Sequence, residues 1–283
     1  MLRKAIACGV AGLILIGWAA PAAAKTNAEE PHKLAWTFDG PFGKFDQAQL
    51  QRGFKVYTEV CSACHSMNLL SYRNLAQPGG PFFDKKHPNP NESPVAKAIA
   101  AAVQVPDIDP DTGDTVQRPA TPADHFKSPF INEAAARAAN GGALPPDLSV
   151  ITRAREGGAD YVHSLLSGYV DPPAGLEVPD GKYYNPYMPG DLGSYWKGPK
   201  DKVPPGGFIA MPFQLMPDRV AFDDGTKATT DQEAKDVAAF LTWAADPKQT
   251  ERKQTGFAVL LYLLAFATIL YFSYKQIWKN VSH

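Results

Sequence analysis

One five-residue stretch, Cys61-Ser62-Ala63-Cys64-His65, constrains the fold and chemistry of this 283-residue chain more than any other feature. Two thiols three positions apart on one helical turn can each form a thioether with one of the two vinyl groups of a haem. The histidine that follows is then directed at the iron. The spacing therefore predicts a c-type haem attachment site, with one haem held by Cys61 and Cys64 and ligated by His65.

The same cysteine pair has three other interpretations, of which a structural disulfide is uncommon across so tight a loop. A zinc site of four cysteines is excluded, because the remaining cysteine, Cys8, lies in an N-terminal segment that is predicted to be removed. A thioredoxin-like redox pair stays open, but no strand–helix–strand pattern surrounds it and His65 would have no role. Export of the chain favours the haem interpretation, because bacteria attach haem covalently on the outer face of the inner membrane.

Both ends of the chain carry membrane signals. At the start, Arg3 and Lys4 precede an apolar stretch and a small-residue sequence that ends at Ala24, which is typical of a cleaved signal peptide. Near the other end, residues 256–274 contain no charge and would form a helix about 28 Å long, close to the roughly 30 Å hydrocarbon core of a membrane. The predicted organisation is a signal peptide (1–24), an exported cytochrome c domain (25–250), a transmembrane helix (251–275) and a cytoplasmic tail (276–283).

These signals also predict location and partners. The chain would cross the inner membrane once, with the lipid bilayer around its C-terminal helix and the haem domain on the periplasmic side. Four of the 28 basic residues lie in the terminal segments, which leaves 24 basic against 29 acidic residues in the exported part. This mildly acidic balance argues against nucleic acid and suits a basic soluble partner.

The exported part is predicted to be mainly helical. Helical spacing and capping patterns predict helices over residues 46–61, 94–103, 132–139 and 159–166, and a final one that starts with the capping pattern at Thr230. Proline- and glycine-rich stretches between them show no alternating strand pattern. The predicted fold class is mainly α: a cytochrome c-like single-haem domain with long irregular loops, plus one C-terminal transmembrane helix.

A second axial ligand can be sought among the methionines, because a methionine opposite the histidine raises the potential of a haem. Met188, Met211 and Met216 are far enough from the attachment site in sequence, and each precedes a proline. Met211 is preferred because it lies in an apolar run, residues 207–213. The alternative is ligation by two histidines, for which the candidates are His87, His125 and His163.

Longer stretches add a family resemblance. They are RGFKVY at 52–57, ARAAN at 136–140, GALPPDLS at 142–149, RAR at 153–155, YNPY at 184–187 and FDDGT at 222–226. Together with the haem motif and the two membrane signals, they resemble the bacterial members of the cytochrome c1 family over nearly the whole chain. These are the haem c subunits of ubiquinol–cytochrome c reductase complexes.

The resemblance implies roles for particular residues. The family's axial methionine precedes the FDDGT stretch by eleven residues, and Met211 holds that position here. Arg155 and Tyr161 correspond to the partners of the haem propionates, for which a guanidinium is a suitable charge-assisted donor. The residues implied to line the haem pocket are Asn140, Pro145 and Pro146.

The resemblance also implies a function. The haem would take single electrons from a Rieske iron–sulfur protein and pass them to a soluble or anchored c-type cytochrome, beside cytochrome b and within a dimeric complex. No bond chemistry is assigned to such a subunit. The alternatives are a free membrane-tethered cytochrome shuttle and a haem peroxidase-like enzyme.

One departure from shorter relatives is visible. Residues 191–206 look inserted before Met211, and no cysteine remains there to brace them with a disulfide. Packing by Tyr195, Trp196 and Phe208 is the predicted substitute.

Overall fold

The computed structural model describes residues 27–280, so the predicted signal peptide lies outside the described residues. Within that range the chain is mainly helical, which confirms the predicted fold class. The helices are α1 (Gln47–Glu59), α2 (Pro94–Ala101), α3 (Glu133–Ala139), α4 (Gly158–Ser167), α5 (Thr230–Ala245) and α6 (Gln249–Ile277), and the strands are β1 (Gln104–Ile108), β2 (Thr115–Pro119), β3 (Tyr183–Asn185) and β4 (Gly207–Ile209). Short 3₁₀ turns cover Cys61–Ala63, Tyr72–Ala76, Pro90–Glu92 and Lys200–Lys202.

Polar side chains cap the start of four of the six helices described above. Asp46 accepts a hydrogen bond from the Gln49 amide at 2.7 Å and starts α1. Helix α5 starts at Thr230, but the predicted capping residue is wrong by one position, since the capping side chain is Thr229, whose Oγ1 accepts from the Gln232 amide at 3.1 Å. The Thr230 hydroxyl instead donates to the Leu215 carbonyl at 3.0 Å, a tertiary contact that the local pattern does not reveal.

The expectation that the long loops contain no strands is wrong at two places. Strands β1 and β2 form an antiparallel hairpin in which Val105 pairs with Arg118. Strands β3 and β4 are also antiparallel, with Tyr184 opposite Phe208. Each strand has three to five residues, and such short segments carry too little alternation to be recognised from sequence.

The main core forms where α1 crosses α5. Gly53 permits the close approach, because a Cβ at this position would lie 2.6 Å from Phe240 Cβ and closer still to the Asp236 carbonyl oxygen. Phe54 and Phe240 meet edge to face with ring centroids 5.7 Å apart. Arg52 joins the two helices through a 2.7 Å ion pair from its Nε to Asp236, whose carboxylate is fully buried. This crossing supports the chain just before the haem motif.

A smaller hydrophobic cluster lies around β3 and β4. Leu176, Tyr184 and Leu192 form its centre, and Trp196 and Phe208 pack against it. Apart from Leu176, its members come from the apparently inserted stretch and from the strands on either side of it. The cluster is therefore consistent with the predicted aromatic packing of this region.

Helix α6 is 29 residues long and apolar enough to cross a membrane. None of its residues is buried within the described part of the chain. Its first turns contact the domain, because Lys253 Nζ donates to the Phe38 carbonyl at 2.6 Å and Phe257 meets Phe42 at 5.3 Å between ring centroids. A helix with this exposed apolar surface fits a transmembrane anchor.

Candidate haem site

The attachment segment, residues 61–68, begins where α1 ends. The chain tightens into a 3₁₀ turn, and the amides of Cys64 and His65 both donate to the Cys61 carbonyl, at 3.1 and 2.9 Å. One turn thereby carries both thiols and the imidazole. The backbone hydrogen bonds of this turn bring the predicted anchors and ligand together.

The imidazole of His65 is oriented by a carbonyl from another loop. Its Nδ1 lies 2.8 Å from the Pro146 carbonyl oxygen, so the Nδ1–H donates there and Nε2 keeps its lone pair. Burial lowers the pKa of His65, which favours the neutral ring that a metal requires of an imidazole ligand. Pro146 therefore contributes its backbone oxygen, a more specific role than lining a pocket.

Asp147 ties the same loop to the attachment segment. Its carboxylate accepts hydrogen bonds from the Ser66 hydroxyl at 2.7 Å and from the Asn68 amide at 2.8 Å. Burial alone would raise the pKa of Asp147, but hydrogen bonds from Ser149, Asn68 and Ser66 outweigh it and lower the pKa. Sequence reasoning gave Asp147 no role, although it directly follows the two prolines assigned to the pocket.

The two cysteines differ in surroundings. Cys61 packs against the main core and Cys64 is exposed, and both thiols are free. Burial, with a smaller contribution from Cys64, raises the pKa of Cys61 to about 12. Redox-active cysteine pairs contain a thiol with a lowered pKa, so Cys61 does not suit the role of the reactive thiol in a thioredoxin-like pair.

The two implied propionate partners lie together at the start of α4. Tyr161 is buried on that helix, and burial raises its pKa while the adjacent Arg155 guanidinium opposes the rise. Arg155 itself is exposed. Of the implied pocket residues, Pro145 is half-buried, and Asn140 ends α3 by donating from Nδ2 to the Ala136 carbonyl at 2.7 Å.

The three candidate methionines occupy different environments. Met211 is half-buried two residues after β4, and its carbonyl accepts a 2.8 Å hydrogen bond from the Tyr169 hydroxyl. Met188 places its sulfur 3.9 Å from the Tyr161 hydroxyl. Met216 is 52% exposed. An iron ligand that is shielded from water is expected, and this favours the less exposed Met211 or Met188 over Met216.

The three candidate histidines differ in exposure and in their hydrogen-bond partners. His163 is buried with Nε2 2.9 Å from Asp231 Oδ1, and His87 places Nδ1 3.1 Å from Asp84 Oδ2. His125 is exposed. A carboxylate thus contacts one ring nitrogen in two of the three candidates.

The donor set fits a covalently attached haem. It combines two free thiols on one turn, an imidazole with an available Nε2 and a half-buried methionine sulfur. In residues 27–280 no group of three or more histidine, cysteine, aspartate or glutamate side chains could hold a metal ion unaided.

Comparison with known proteins gives the same family throughout. The sequence model of the Cytochrome C1 family matches residues 36–281. Cytochrome c1 of Rhodospirillum rubrum is 42% identical, with 96% of each chain covered. A mitochondrial cytochrome c1 heme protein of Arabidopsis thaliana is 40% identical over 98% of this chain and 81% of its own. Cytochrome b/c1 of Bradyrhizobium diazoefficiens is 42% identical over 98% of this chain, which spans 39% of that longer protein.

Proposed function

The chain belongs to the cytochrome c1 family, and from this premise we propose that it is the electron-transfer subunit of a quinol–cytochrome c reductase. It takes single electrons from a Rieske iron–sulfur protein and passes them to a soluble or anchored c-type cytochrome. The observation that carries the proposal is the turn that presents Cys61, Cys64 and a correctly oriented His65 together.

Members of this family carry a covalently bound haem c, which supplies an iron centre that changes oxidation state by one electron. Cys61 and Cys64 would hold it, and His65 and Met211 would ligate its iron. With both of these ligands in place the site would suit electron transfer, in contrast to an enzyme of the peroxidase type, which needs an open position for peroxide.

The protein's own groups prepare this site. The Pro146 carbonyl holds the His65 ring in one tautomer, as outer-shell partners of metal-bound imidazoles commonly do. Arg155 and Tyr161 would bind the propionates and neutralise part of their charge. The core packing around Cys61 excludes water from one side of the attachment turn.

The proposed setting is a membrane complex. Helix α6 anchors the chain in the inner membrane, and the haem domain lies on the periplasmic side. Cytochrome b is the proposed neighbour, which is supported by a long relative whose name joins cytochrome b and c1. A dimeric complex that also contains the Rieske protein completes the proposal.

The test is spectroscopic. Reduced-minus-oxidised and pyridine-haem spectra of the membrane-extracted complex should be of c type, and cytochrome b should copurify. Met211→Leu should lower the midpoint potential sharply, whereas the exposed Met216→Leu should leave it unchanged. An unchanged potential in Met211→Leu would move the ligand to Met188 or a histidine, and the absence of covalent haem would refute the proposal.

A further inference from the structure

The segment that carries Met211 has no regular structure of its own. After β4 ends at Ile209, the chain forms no helix or strand until α5 begins at Thr230, in a stretch that is fully described. The sequence also offers no cysteine in this region for a disulfide. The methionine segment, residues 210–216, therefore depends on side chains from elsewhere for its position.

Tyr169 provides such a contact at the methionine itself. Its hydroxyl donates to the Met211 carbonyl at 2.8 Å, and its ring lies 5.3 Å from that of Phe213 between centroids. A hydrogen bond and a ring contact thus fall on positions 211 and 213 of the same segment. Together they restrict both translation and rotation of the backbone that carries the sulfur.

Tyr169 is itself fixed by the end of α4. The preceding Gly168 ends this helix against Tyr187, since a Cβ at Gly168 would lie 2.6 Å from Tyr187 Cε2. Asn185, fully buried at the end of β3, donates from Nδ2 to the Leu165 carbonyl of α4 at 2.9 Å. The hydroxyl of Tyr169 therefore projects from a rigid junction of α4 and β3.

We propose that Tyr169 is a positioning residue for the sixth ligand of the haem iron: its hydroxyl holds the Met211 carbonyl so that the methionine sulfur stays in place. This inference rests on the proposed role of Met211 as axial ligand. In this role Tyr169 acts through Met211, whose carbonyl it contacts.

The hydrogen bond from Tyr169 is of the ordinary neutral kind, from a phenol hydroxyl to a backbone carbonyl. A hydrogen bond to a neutral carbonyl contributes about 1 kcal/mol, enough to change a ligand-exchange equilibrium about fivefold.

Tyr169→Phe in the intact, haem-loaded complex tests the inference, because it removes the hydroxyl and keeps the ring. Exogenous imidazole competes with the methionine for ferric iron, so its apparent affinity reports how firmly the sulfur is held. We expect about fivefold tighter imidazole binding and a weaker red absorption band from methionine-ligated ferric haem. Tyr184→Phe is the matched control, because its hydroxyl also donates to a backbone carbonyl, that of Pro205, at 2.8 Å.

Three results would overturn the inference. If Tyr169→Phe bound imidazole with wild-type affinity, the hydroxyl would not be holding the methionine sulfur in place. An equal gain in Tyr184→Phe would show a general loosening instead of a specific effect. A red absorption band that survives in Met211→Leu would refute the axial ligand itself, and this outcome separates failure of the proposed function from failure of the positioning role.

Discussion

The attachment segment and the methionine segment face the same cofactor site in the proposed function but are held by different means. The first is a tight turn with its own backbone hydrogen bonds, and the adjoining loop at Pro146 and Asp147 locks it from outside. The second lacks regular structure and depends on hydroxyl groups of Tyr169 and Thr230. Mutations around the first should therefore affect folding and haem attachment, and mutations around the second should affect ligation and potential.

The largest effect should come from Gly53→Ala, which acts on the support of the attachment segment. The new methyl group would overlap the Asp236 carbonyl and separate α1 from α5. Overpacking of this kind against backbone costs about 3 kcal/mol. We expect a large fall in melting temperature and in covalent haem content of the purified complex.

Gly256→Ala is the matched control, because a Cβ at this helical glycine meets nothing within 4 Å. Its melting temperature and haem content should equal those of the wild type. If both substitutions behaved alike, the α1–α5 crossing would not be the support of the attachment segment.

Trp196→Ala should have the next largest effect, now on the side of the methionine segment. Trp196 packs against the cluster around β3 and β4, and its Nε1 donates to the Pro199 carbonyl at 3.0 Å. Because the side chain is only half-buried, we expect a loss of about 2 kcal/mol, below the range for a fully buried tryptophan. Haem content should persist while the midpoint potential falls. An unchanged midpoint potential would show that this cluster does not help to position Met211.

Asp147→Asn should weaken the attachment side in a pH-dependent way. The pKa of Asp147 is lowered in the folded state, so its carboxylate stabilises the fold above the unfolded pKa of about 3.9, and this contribution is lost as the pH falls through the folded value. At neutral pH the variant should lose about 1 kcal/mol. Its melting temperature should fall less steeply than that of the wild type below about pH 4.

Asp180→Asn, a change at an exposed position, is the control and should retain the wild-type pH profile. Parallel profiles for the wild type and Asp147→Asn would exclude Asp147 as the source of this acid sensitivity.

The contrast between the attachment segment and the methionine segment also explains which features the sequence could predict. The haem motif and the cap at Asp46 are local patterns, and their hydrogen bonds join residues that are close in the chain. The apolar surroundings of Met211 favour it as the second iron ligand, and the family resemblance strengthens that choice. This choice stays a prediction, as do the implied roles of Arg155 and Tyr161.

Other features depend on residues that are distant in sequence. The hydroxyl of Tyr169 meets a carbonyl 42 positions away, and that of Thr230 meets one 15 positions away. Strand β3 pairs with β4 across the apparently inserted stretch. Single-residue patterns carry no sign of such partners, so these contacts could only be found in the folded chain.

The smallest effect should come from Thr230→Val, which removes the anchor at the far end of the methionine segment. The buried Leu215 would keep its packing but lose the donor to its carbonyl, at a cost of about 1 kcal/mol. Hydrogen exchange should accelerate around residues 213–218. Imidazole affinity should stay at the wild-type value, because Tyr169 still holds Met211.

Thr229→Ala is the neighbouring control, since it removes the cap of α5 at a similar cost. Its exchange should accelerate in the first turn of α5 instead of the methionine segment. If Thr230→Val raised imidazole affinity as much as Tyr169→Phe, the methionine segment would move as one unit. Positioning of the sulfur would then be shared between α4 and α5, because either anchor alone would be too weak to hold it.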